Sequence, residues 1–231
     1  AHYSFFSHDS ETAEPGYYAV ELFEKTIRVE LTATERTALV RLQYDDKAPM
    51  AVVFSDVDYW DNNGQNAISG KSGGYYFYIL FDQNFKELKN YLVNFDHESD
   101  HELRFKIAVS RVSIENAKLN MLIENSTWNF DLVKRQARRK WNSHLNKIEI
   151  KDSDIDKVSV FYTALYHSLL LPFVTSDANR EFRGLDGKIY TLKSGDFYSG
   201  FSPWDTFRTL HPLLNLLEPQ RQLDMIKSLL I

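Results

Sequence analysis

The residues best suited to chemistry lie in one short stretch, "SPWDTFR", at positions 202–208. Trp204 and Asp205 are adjacent there, and Arg208 lies about one helical turn further on. A carboxylate accepts hydrogen bonds from two neighbouring hydroxyls, and a guanidinium donates them through a planar fork. An indole ring offers a large apolar face against which the C–H face of a sugar ring packs. These residue types therefore predict one wall of a sugar-binding pocket at the start of a helix.

The same residues also have a purely structural interpretation, and their spacing alone favours that interpretation over a binding site. Ser202 and Asp205 match the S-x-x-D pattern of a capping box, and Pro203 stands at the first helical position. Asp205 and Arg208 are spaced to form a surface ion pair. The two interpretations are compatible, because one carboxylate can both cap a helix and bind a ligand. The core-facing stripe of this helix would consist of Trp204, Phe207, His211, Leu214 and Leu217.

Other candidate sites are weaker. Asp56, Asp58 and Asp61 precede a glycine but do not match a calcium-binding loop, so we interpret them as an acidic turn. The histidines show no zinc-protease spacing, and the sequence holds no nucleophile elbow, phosphate loop or dinucleotide motif. We therefore assign no metal ligand in this chain. The basic run within 134–140 predicts a solvated helix face, with phosphate binding as the alternative.

Composition narrows the possible functions. The chain has 231 residues, of which 43% are hydrophobic, enough for a packed core. Its net charge of −5 argues against a nucleic-acid partner, which would require a basic face. The lack of cysteine excludes disulfides, thiol catalysis and cysteine-ligated zinc. The longest apolar runs are too short to span a bilayer, so we predict no transmembrane segment.

The first half of the chain, from Tyr17 to about Val112, shows the period of two that indicates β-strands. Apolar and polar residues alternate in "IRVELTATERTALVRL", which predicts one buried and one solvent-exposed face, with a turn near residues 34–36. The apolar runs "MAVVFSDV" and "GYYFYILF" predict central strands, and "HELRFKIAVSRV" predicts another. So many strands without intervening helices predict an antiparallel β-sandwich.

The second half shows the spacing of three and four that indicates helices. A hairpin around residues 186–187 interrupts them. Five helices are predicted. The first starts at Ser113, and the second runs over Trp128–Ile148. The third starts at a capping box of Ser153 and Asp156 and has a buried stripe from Ile155, and the last two start at Ser202 and Pro219.

These patterns predict three regions: a β-sandwich domain over 1–112, a helical linker over 113–150 and a helical domain that begins at 151 and continues to 231. The last helix is still in mid-pattern at Ile231. We therefore expect a fragment of a longer protein.

Several segments occur in an order that resembles a known family: "FSHDSETAEPGYYAVEL", "IRVELTATERTALVRLQY", "AVSRVSIENAKLN", "FYTALYHSLLLPFVTSDANREFRGLDGKIY" and "GFSPWDTFRTLHPLLNLLEPQRQLDMIKSLL". Together they resemble glycoside hydrolase family 92, the calcium-dependent exo-acting α-mannosidases. The resemblance covers nearly the whole chain, and its specific parts are "ELTATER", "FYTALYH" and "WDTFRTLHPL".

The resemblance implies an architecture and a reaction. The fold would be mixed, β then α: an N-terminal antiparallel β-sandwich, a helical linker and the start of a truncated (α/α)6 barrel. The activity would be that of an exo-α-mannosidase, which releases terminal α-1,2-linked mannose from glycans with inversion and the assistance of calcium. Inversion uses a carboxylic acid on the leaving oxygen and a carboxylate that activates water. Calcium would lie under the mannose and help to distort its ring.

The resemblance also implies residue roles. "WDTFR" matches the family segment that lines the mannose subsite, which makes Asp205 the predicted substrate ligand, with Trp204 and Arg208 behind it. The family's catalytic carboxylates and most of its calcium ligands would lie beyond Ile231, so we name no catalytic residue and expect this chain alone to be inactive. The remainder of its own chain would then complete the barrel. Export to the periplasm, the cell surface or the medium is expected from the resemblance alone.

Two alternatives stay open. Another (α/α)6 glycosidase, trehalase-like or glucosidase-like, would also place a W-D-[ST] segment in its sugar site, although "ELTATER" on a preceding sandwich argues against it. A non-catalytic carbohydrate-binding module would need neither acid nor base. In the favoured interpretation the partner is a mannose-containing glycan.

Overall fold

The computed structural model describes residues 4–24, 26–45, 48–89, 91–96 and 101–231. The chain divides into two compact units, Ala1–Arg138 and Arg139–Ile231. The boundaries predicted at 112 and 150 stay predictions. Among the described residues, no helix combines the length and the apolar character that crossing a bilayer requires.

The first unit is built mainly from strands, which form two antiparallel sheets. Following a short 3₁₀ helix, His8–Ser10, the strands are β1 Thr12–Glu14, β2 Tyr17–Leu22, β3 Ile27–Ala33, β4 Thr37–Tyr44, β5 Ala51–Val53, β6 Tyr59–Asn62, β7 Ala67–Ser72, β8 Tyr75–Phe81, β9 Glu87–Lys89, β10 Leu92–Asn94 and β11 Glu102–Ser110. The larger sheet has the order β1-β2-β3-β4-β11-β8-β7-β6, and the smaller has the order β5-β10-β9.

A hydrophobic core fills the space between these two sheets. The larger sheet contributes Leu42, Phe81 and Leu103 to it, and the smaller contributes Val93, with Met50 beside β5. Side chains of two facing sheets that exclude water in this way define a sandwich. The antiparallel sandwich predicted from the sequence is therefore confirmed.

The strands agree with the sequence patterns except at β5 and β6. β6 contains Asp61, so the interpretation of Asp61 as part of an acidic turn is wrong. β3 and β4 pair with Ala33 opposite Ala38, which confirms the turn near residues 34–36. β8 lies inside the large sheet, as predicted, and β11, predicted only as a strand, lies between β4 and β8. β5, from "MAVVFSDV", lies at the edge of the small sheet, so its prediction as a central strand is wrong. A short apolar run cannot distinguish an edge strand from a central one, because both pack one face on the core.

Two helices cover the other face of the large sheet: α1, Ile114–Glu124, and α2, Phe130–Leu145. Ser113 caps α1, and its hydroxyl accepts a hydrogen bond from the N–H of Asn116, as the sequence predicts. Ala117 and Met121 of α1 pack on Ala108, while Phe130 and Val133 of α2 pack on Leu39. This face was predicted to be exposed to solvent, and that prediction is wrong because the helices exclude water from it.

The second unit joins helices to short hairpins around a core that includes Leu165, Tyr198, Leu214 and Met225. The antiparallel pairing of Glu181–Arg183 with Ile189–Thr191 confirms the hairpin predicted around residues 186–187. The elements that follow α2 are α3 Ile155–Ser168, β12 Phe173–Val174, β13 Glu181–Arg183, β14 Ile189–Thr191, β15 Tyr198–Ser199, α4 Pro203–Thr206, α5 Leu210–Leu217 and α6 Pro219–Ser228.

The start of α3 differs from its prediction. Asp154, not Ser153, is the N-cap, and its carboxylate accepts hydrogen bonds from the N–H groups of Asp156 and Lys157. Asp and Ser are about equally good N-caps, so two adjacent candidates cannot be ranked from sequence. Ile155 then becomes the first helical residue, and it is 72% exposed instead of buried.

Glu218 lies between α5 and α6 and is buried. Its Oε1 accepts hydrogen bonds from Nδ1 of His144 at 2.5 Å and from Nζ of Lys147 at 2.8 Å. Burial raises the pKa of Glu218, but these two cationic or donor partners outweigh burial and leave the pKa below its ordinary value. The end of α2 is thereby joined to the α5–α6 corner.

Candidate functional site

The stretch that holds the predicted site is broken, although it was predicted as one helix. α4 ends at Thr206 and α5 begins at Leu210. Pro212 is the reason: it has no N–H, and in a continuous helix its ring would collide with the carbonyl of Arg208. As the third residue of α5 it is tolerated, because the first amides of a helix have no intrahelical partner. α4 is therefore a separate one-turn helix.

The predicted capping box does not form at α4. Ser202 is the N-cap, but its hydroxyl accepts no backbone hydrogen bond and instead donates to Oδ2 of Asp205. The N–H of Asp205 donates to the carbonyl of Ser202 at 3.0 Å. Oδ1 of Asp205 has no hydrogen-bond partner among the described residues. This carboxylate is therefore held at one oxygen and open at the other.

The predicted core stripe is also wrong at its first two positions. Trp204 is 87% exposed and Phe207 is 54% exposed, whereas Leu214 is fully buried. The helix is interrupted between Thr206 and Leu210, where Thr209 leaves helical backbone angles, so α4 does not share the buried face of α5. The guanidinium of Arg208 lies 5.4 Å from the centroid of the Phe207 ring, and it forms no ion pair with a described carboxylate. The structure therefore leaves the indole, the carboxylate and the guanidinium of this short stretch each exposed to solvent.

A side-chain hydrogen-bond path connects α4 to α6. The Thr206 hydroxyl donates to the carbonyl of Ser202 at 3.0 Å and lies 2.9 Å from Nε2 of His211. Nδ1 of His211 lies 3.1 Å from the side-chain amide of Gln222, which is buried in α6. The sequence pattern places His211 in the core-facing stripe and misses its contacts with Thr206 and Gln222. The hydroxyl and amide side chains at those positions carry no pattern that identifies such a path.

The β13–β14 hairpin holds another exposed carboxylate, Asp186. It accepts hydrogen bonds from the N–H of Lys188 at 3.0 Å and from the hydroxyl of Tyr190 at 2.9 Å. These bonds hold the pKa of Asp186 below its ordinary value, with the backbone bond as the larger cause. Asp186 is thus a turn residue whose lone pairs are used within the hairpin.

The implied calcium ion has no ligand set among the described residues. No group of three or more His, Asp or Glu side chains in 4–24, 26–45, 48–89, 91–96 and 101–231 is placed to hold a metal ion. Calcium requires six to eight oxygen ligands. The residues described here therefore do not by themselves form a calcium site, and we derive no step through the ion.

The segment "ELTATER" forms internal contacts of the first unit. Glu124 of α1 accepts hydrogen bonds from the Thr34 hydroxyl at 2.6 Å and from the N–H and guanidinium of Arg36 at 2.9 and 2.6 Å. Glu30 is 7% exposed and accepts hydrogen bonds from Arg41 and from the Tyr17 hydroxyl, each at 2.7 Å. The Glu124 contacts fasten the sheet to α1, and the Glu30 contacts join β2, β3 and β4 to one another.

The large-sheet face under α2 is a layer of paired charges and aromatic rings. Burial raises the pKa of Glu30, but the Arg41 and Tyr17 hydrogen bonds outweigh it and lower the pKa below its ordinary value. The Arg41 guanidinium lies 4.4 Å from the centroid of the Phe130 ring. Nζ of Lys106 lies 4.2 Å from the centroid of the Trp128 ring, and burial lowers the pKa of Lys106. Polar residues of the predicted solvent face are therefore satisfied inside the fold.

Comparisons with known proteins agree with this architecture. Residues 1–110 match the model of the glycosyl hydrolase family 92 N-terminal domain, and residues 116–231 match that of the family 92 catalytic domain. No curated protein matches the chain significantly.

Solved structures give the same result. A family GH92 α-mannosidase from Bacteroides thetaiotaomicron is 26% identical with a TM-score of 0.85, over 97% of this chain and 36% of its own. Its complex with mannoimidazole matches at 27% identity and a TM-score of 0.83, over 97% of this chain and 35% of its own. A family GH92 inverting mannosidase from the same organism, 24% identical, shares the fold at a TM-score of 0.86, over 96% of this chain and 35% of its own.

The chain thus spans about a third of the length of these relatives. Its sandwich and the helices that follow correspond to their N-terminal domain and to the start of their helical barrel. Because both domain models match and together account for nearly every residue, the chain belongs to glycosyl hydrolase family 92.

Proposed function

We propose that the protein containing this chain is a glycosidase that releases terminal α-linked mannose from glycans. The observation that carries the proposal is the exposure of Trp204 and Asp205 on a one-turn helix, inside the region that matches the family 92 catalytic domain. A buried cap and core would have left no ligand-facing groups there. The relative that was solved with mannoimidazole is a second support.

Each side chain has a specific task in this proposal. The indole of Trp204 packs on the apolar C–H face of the mannose ring. Oδ1 of Asp205 accepts hydrogen bonds from sugar hydroxyls, while Ser202 holds Oδ2. The guanidinium of Arg208 donates to neighbouring ring hydroxyls. These groups bind and orient the sugar, and none of them is assigned to the bond-breaking step.

The finer parts of the proposal concern the whole protein. We include preference for α-1,2 linkages, inversion by a separately held acid and base, a calcium requirement and export from the cytoplasm. Inversion needs two carboxylates far enough apart to admit water, and no residue of this chain is assigned to either role. Family membership supports these parts. Cell fractionation tests export, and removal of calcium with a chelator followed by its return tests the metal requirement.

The main experiment measures mannose release by the whole protein from α-1,2-, α-1,3- and α-1,6-linked mannobiose. Asp205→Asn is expected to lower kcat/KM by about 10- to 100-fold, because a hydrogen bond to a charged acceptor is lost. Asp186→Asn is the matched control, since Asp186 is also exposed but is occupied within its hairpin. The free energy of unfolding should change by less than about 1 kcal/mol in either variant.

Three outcomes separate the possibilities. Loss of activity in Asp205→Asn alone supports the site. Equal activity of Asp205→Asn and the unchanged protein overturns the role of Asp205. Mannose binding without any mannose release would overturn the enzymatic proposal and leave the carbohydrate-binding module.

A further inference from the structure

The one-turn helix α4 lacks the backbone bonds that would align it with α5. Pro212 cannot donate to the carbonyl of Arg208, and the helical ladder stops between Thr206 and Leu210. An exposed single turn is not stable by itself, because one turn costs more in chain entropy than its few hydrogen bonds return. Something other than the ladder must hold Asp205 in one position.

The side-chain path through His211 is placed to supply that restraint. Its partners at the two ring nitrogens are Thr206 at 2.9 Å and Gln222 at 3.1 Å, and Gln222 is buried in the longer helix α6. Thr206 in turn holds the carbonyl of Ser202 at 3.0 Å, and the Ser202 hydroxyl donates to Asp205. The path thus begins in the core and ends at the carboxylate of the proposed sugar ligand.

We propose that His211 is a positioning residue, which fixes the Asp205 carboxylate through Thr206 and Ser202 without touching the sugar. This inference rests on the proposed function only for its effect on mannoside binding. The restraint on α4 is a property of the fold and is measured separately.

Two matched pairs of variants test the path. Thr206→Val keeps the shape and removes the hydroxyl, whereas Thr206→Ser keeps the hydroxyl. At position 211, Gln places an amide near the Nε2 position and can keep the contact with Thr206. Asn places its amide near Nδ1 and can keep only the contact with Gln222. His211→Asn and Thr206→Val should therefore behave alike, and His211→Gln and Thr206→Ser should resemble the unchanged protein.

The first measurement is amide hydrogen exchange of the peptide 202–207 in the whole protein. Exchange should become roughly fivefold faster in Thr206→Val and His211→Asn, and it should not change in Thr206→Ser and His211→Gln. If all four variants, or none, accelerate exchange in this peptide, the positioning role is overturned. Peptides from α5 and α6 report whether a variant has disturbed the fold more widely.

The second measurement is steady-state hydrolysis of an α-mannoside. The same two variants should raise KM about fivefold with kcat unchanged, because the mispositioned carboxylate weakens binding of ground state and transition state alike. The double variant Thr206→Val/His211→Asn should be no worse than either single one, since both break one path. Additive losses would contradict the path.

The two proposals fail in different ways. If the unchanged protein neither binds nor cleaves an α-mannoside while exchange follows the predicted pattern, the proposed function fails and the restraint on α4 stands. If the unchanged protein cleaves the mannoside and the four variants do not separate, the role of His211 fails and the function stands.

Discussion

Arg36 donates to Glu124 both from its backbone N–H, at 2.9 Å, and from its guanidinium, at 2.6 Å. The two residues are 88 positions apart, so this pair joins the β3–β4 turn to the end of α1. Both side chains are largely buried, at 10% and 12% exposure. If either partner is removed, the other charge stays buried, and the attraction that offsets its loss of hydration is gone.

Glu124→Ala is therefore expected to lower the free energy of unfolding by about 3 kcal/mol. Urea denaturation measures this directly. Glu35→Ala is the matched control, because Glu35 also pairs with Arg36 but is more exposed, and its loss should cost less than about 1 kcal/mol. Equal losses in the two variants would contradict a buried role for Glu124.

The buried Glu30 predicts a specific loss of stability in acid. Its pKa is lower in the folded state than in the unfolded state, where it is near 4.5. The unfolded state therefore takes up a proton first as the pH falls, and the stabilisation present above pH 4.5 is lost as the pH falls through the folded-state pKa. The difference in the free energy of unfolding between the unchanged protein and Glu30→Gln should shrink below about pH 4.5. Glu21→Gln, on the exposed side of β2, is the control, and a difference that stays constant would refute the prediction.

Lys106 predicts a gain of stability in alkali. Burial holds its pKa below the ordinary value of 10.5, so in the folded state it loses its proton at a lower pH than in the unfolded state. Between those two values the unfolded state binds more protons, and stability rises with pH. The unchanged protein should gain free energy of unfolding relative to Lys106→Met as the pH rises from 7 towards 10.5. The exposed Lys151, replaced by Met, is the matched control, and parallel curves would count against the prediction.

Replacement of Pro212 should join α4 and α5 into one helix. Pro212→Ala restores an N–H that can donate to the carbonyl of Arg208, so residues 207–209 should become helical. Amide exchange across 207–212 should slow by roughly fivefold, because one more hydrogen bond must open before exchange occurs. Pro219→Ala is the control, because Pro219 is the first residue of α6 and its missing N–H is not needed there. Equal slowing around both prolines would show that the break has another cause.

Much of the fold could be predicted because its local patterns are strong. Alternation located β3, β4 and β11, and the turn at 34–36 followed from one interruption of it. Alternation tells which residues share a face but not whether that face is covered. Glu30 was assigned to solvent for this reason. The face on which it lies is covered by α2, which begins far along the chain at Phe130. The turn places Glu30 opposite Arg41, a register that pairs the two charges whether or not the face is covered.

The sequence could select the residues of the candidate site, but it could not predict the local structure around them. Trp204, Asp205 and Arg208 could be selected by chemistry, and their exposure agrees with a binding role that stays a prediction. The single helix predicted from Ser202 overlooked Pro212, which was visible in the sequence. The capping box failed because Ser202 turns its hydroxyl to a side chain, a choice between two near-equal hydrogen bonds that no spacing encodes.

The contact between His144 and Glu218 also constrains the order of events on the ribosome. The two residues are 74 positions apart, so at about 5–20 residues per second the carboxylate is made roughly 4 to 15 seconds after the imidazole. Throughout that interval the last turn of α2 exists without the corner that anchors it. The corner that Glu218 anchors can therefore close only after residue 218 has been made, and the strands up to β11, which ends at Ser110, have time to pair first.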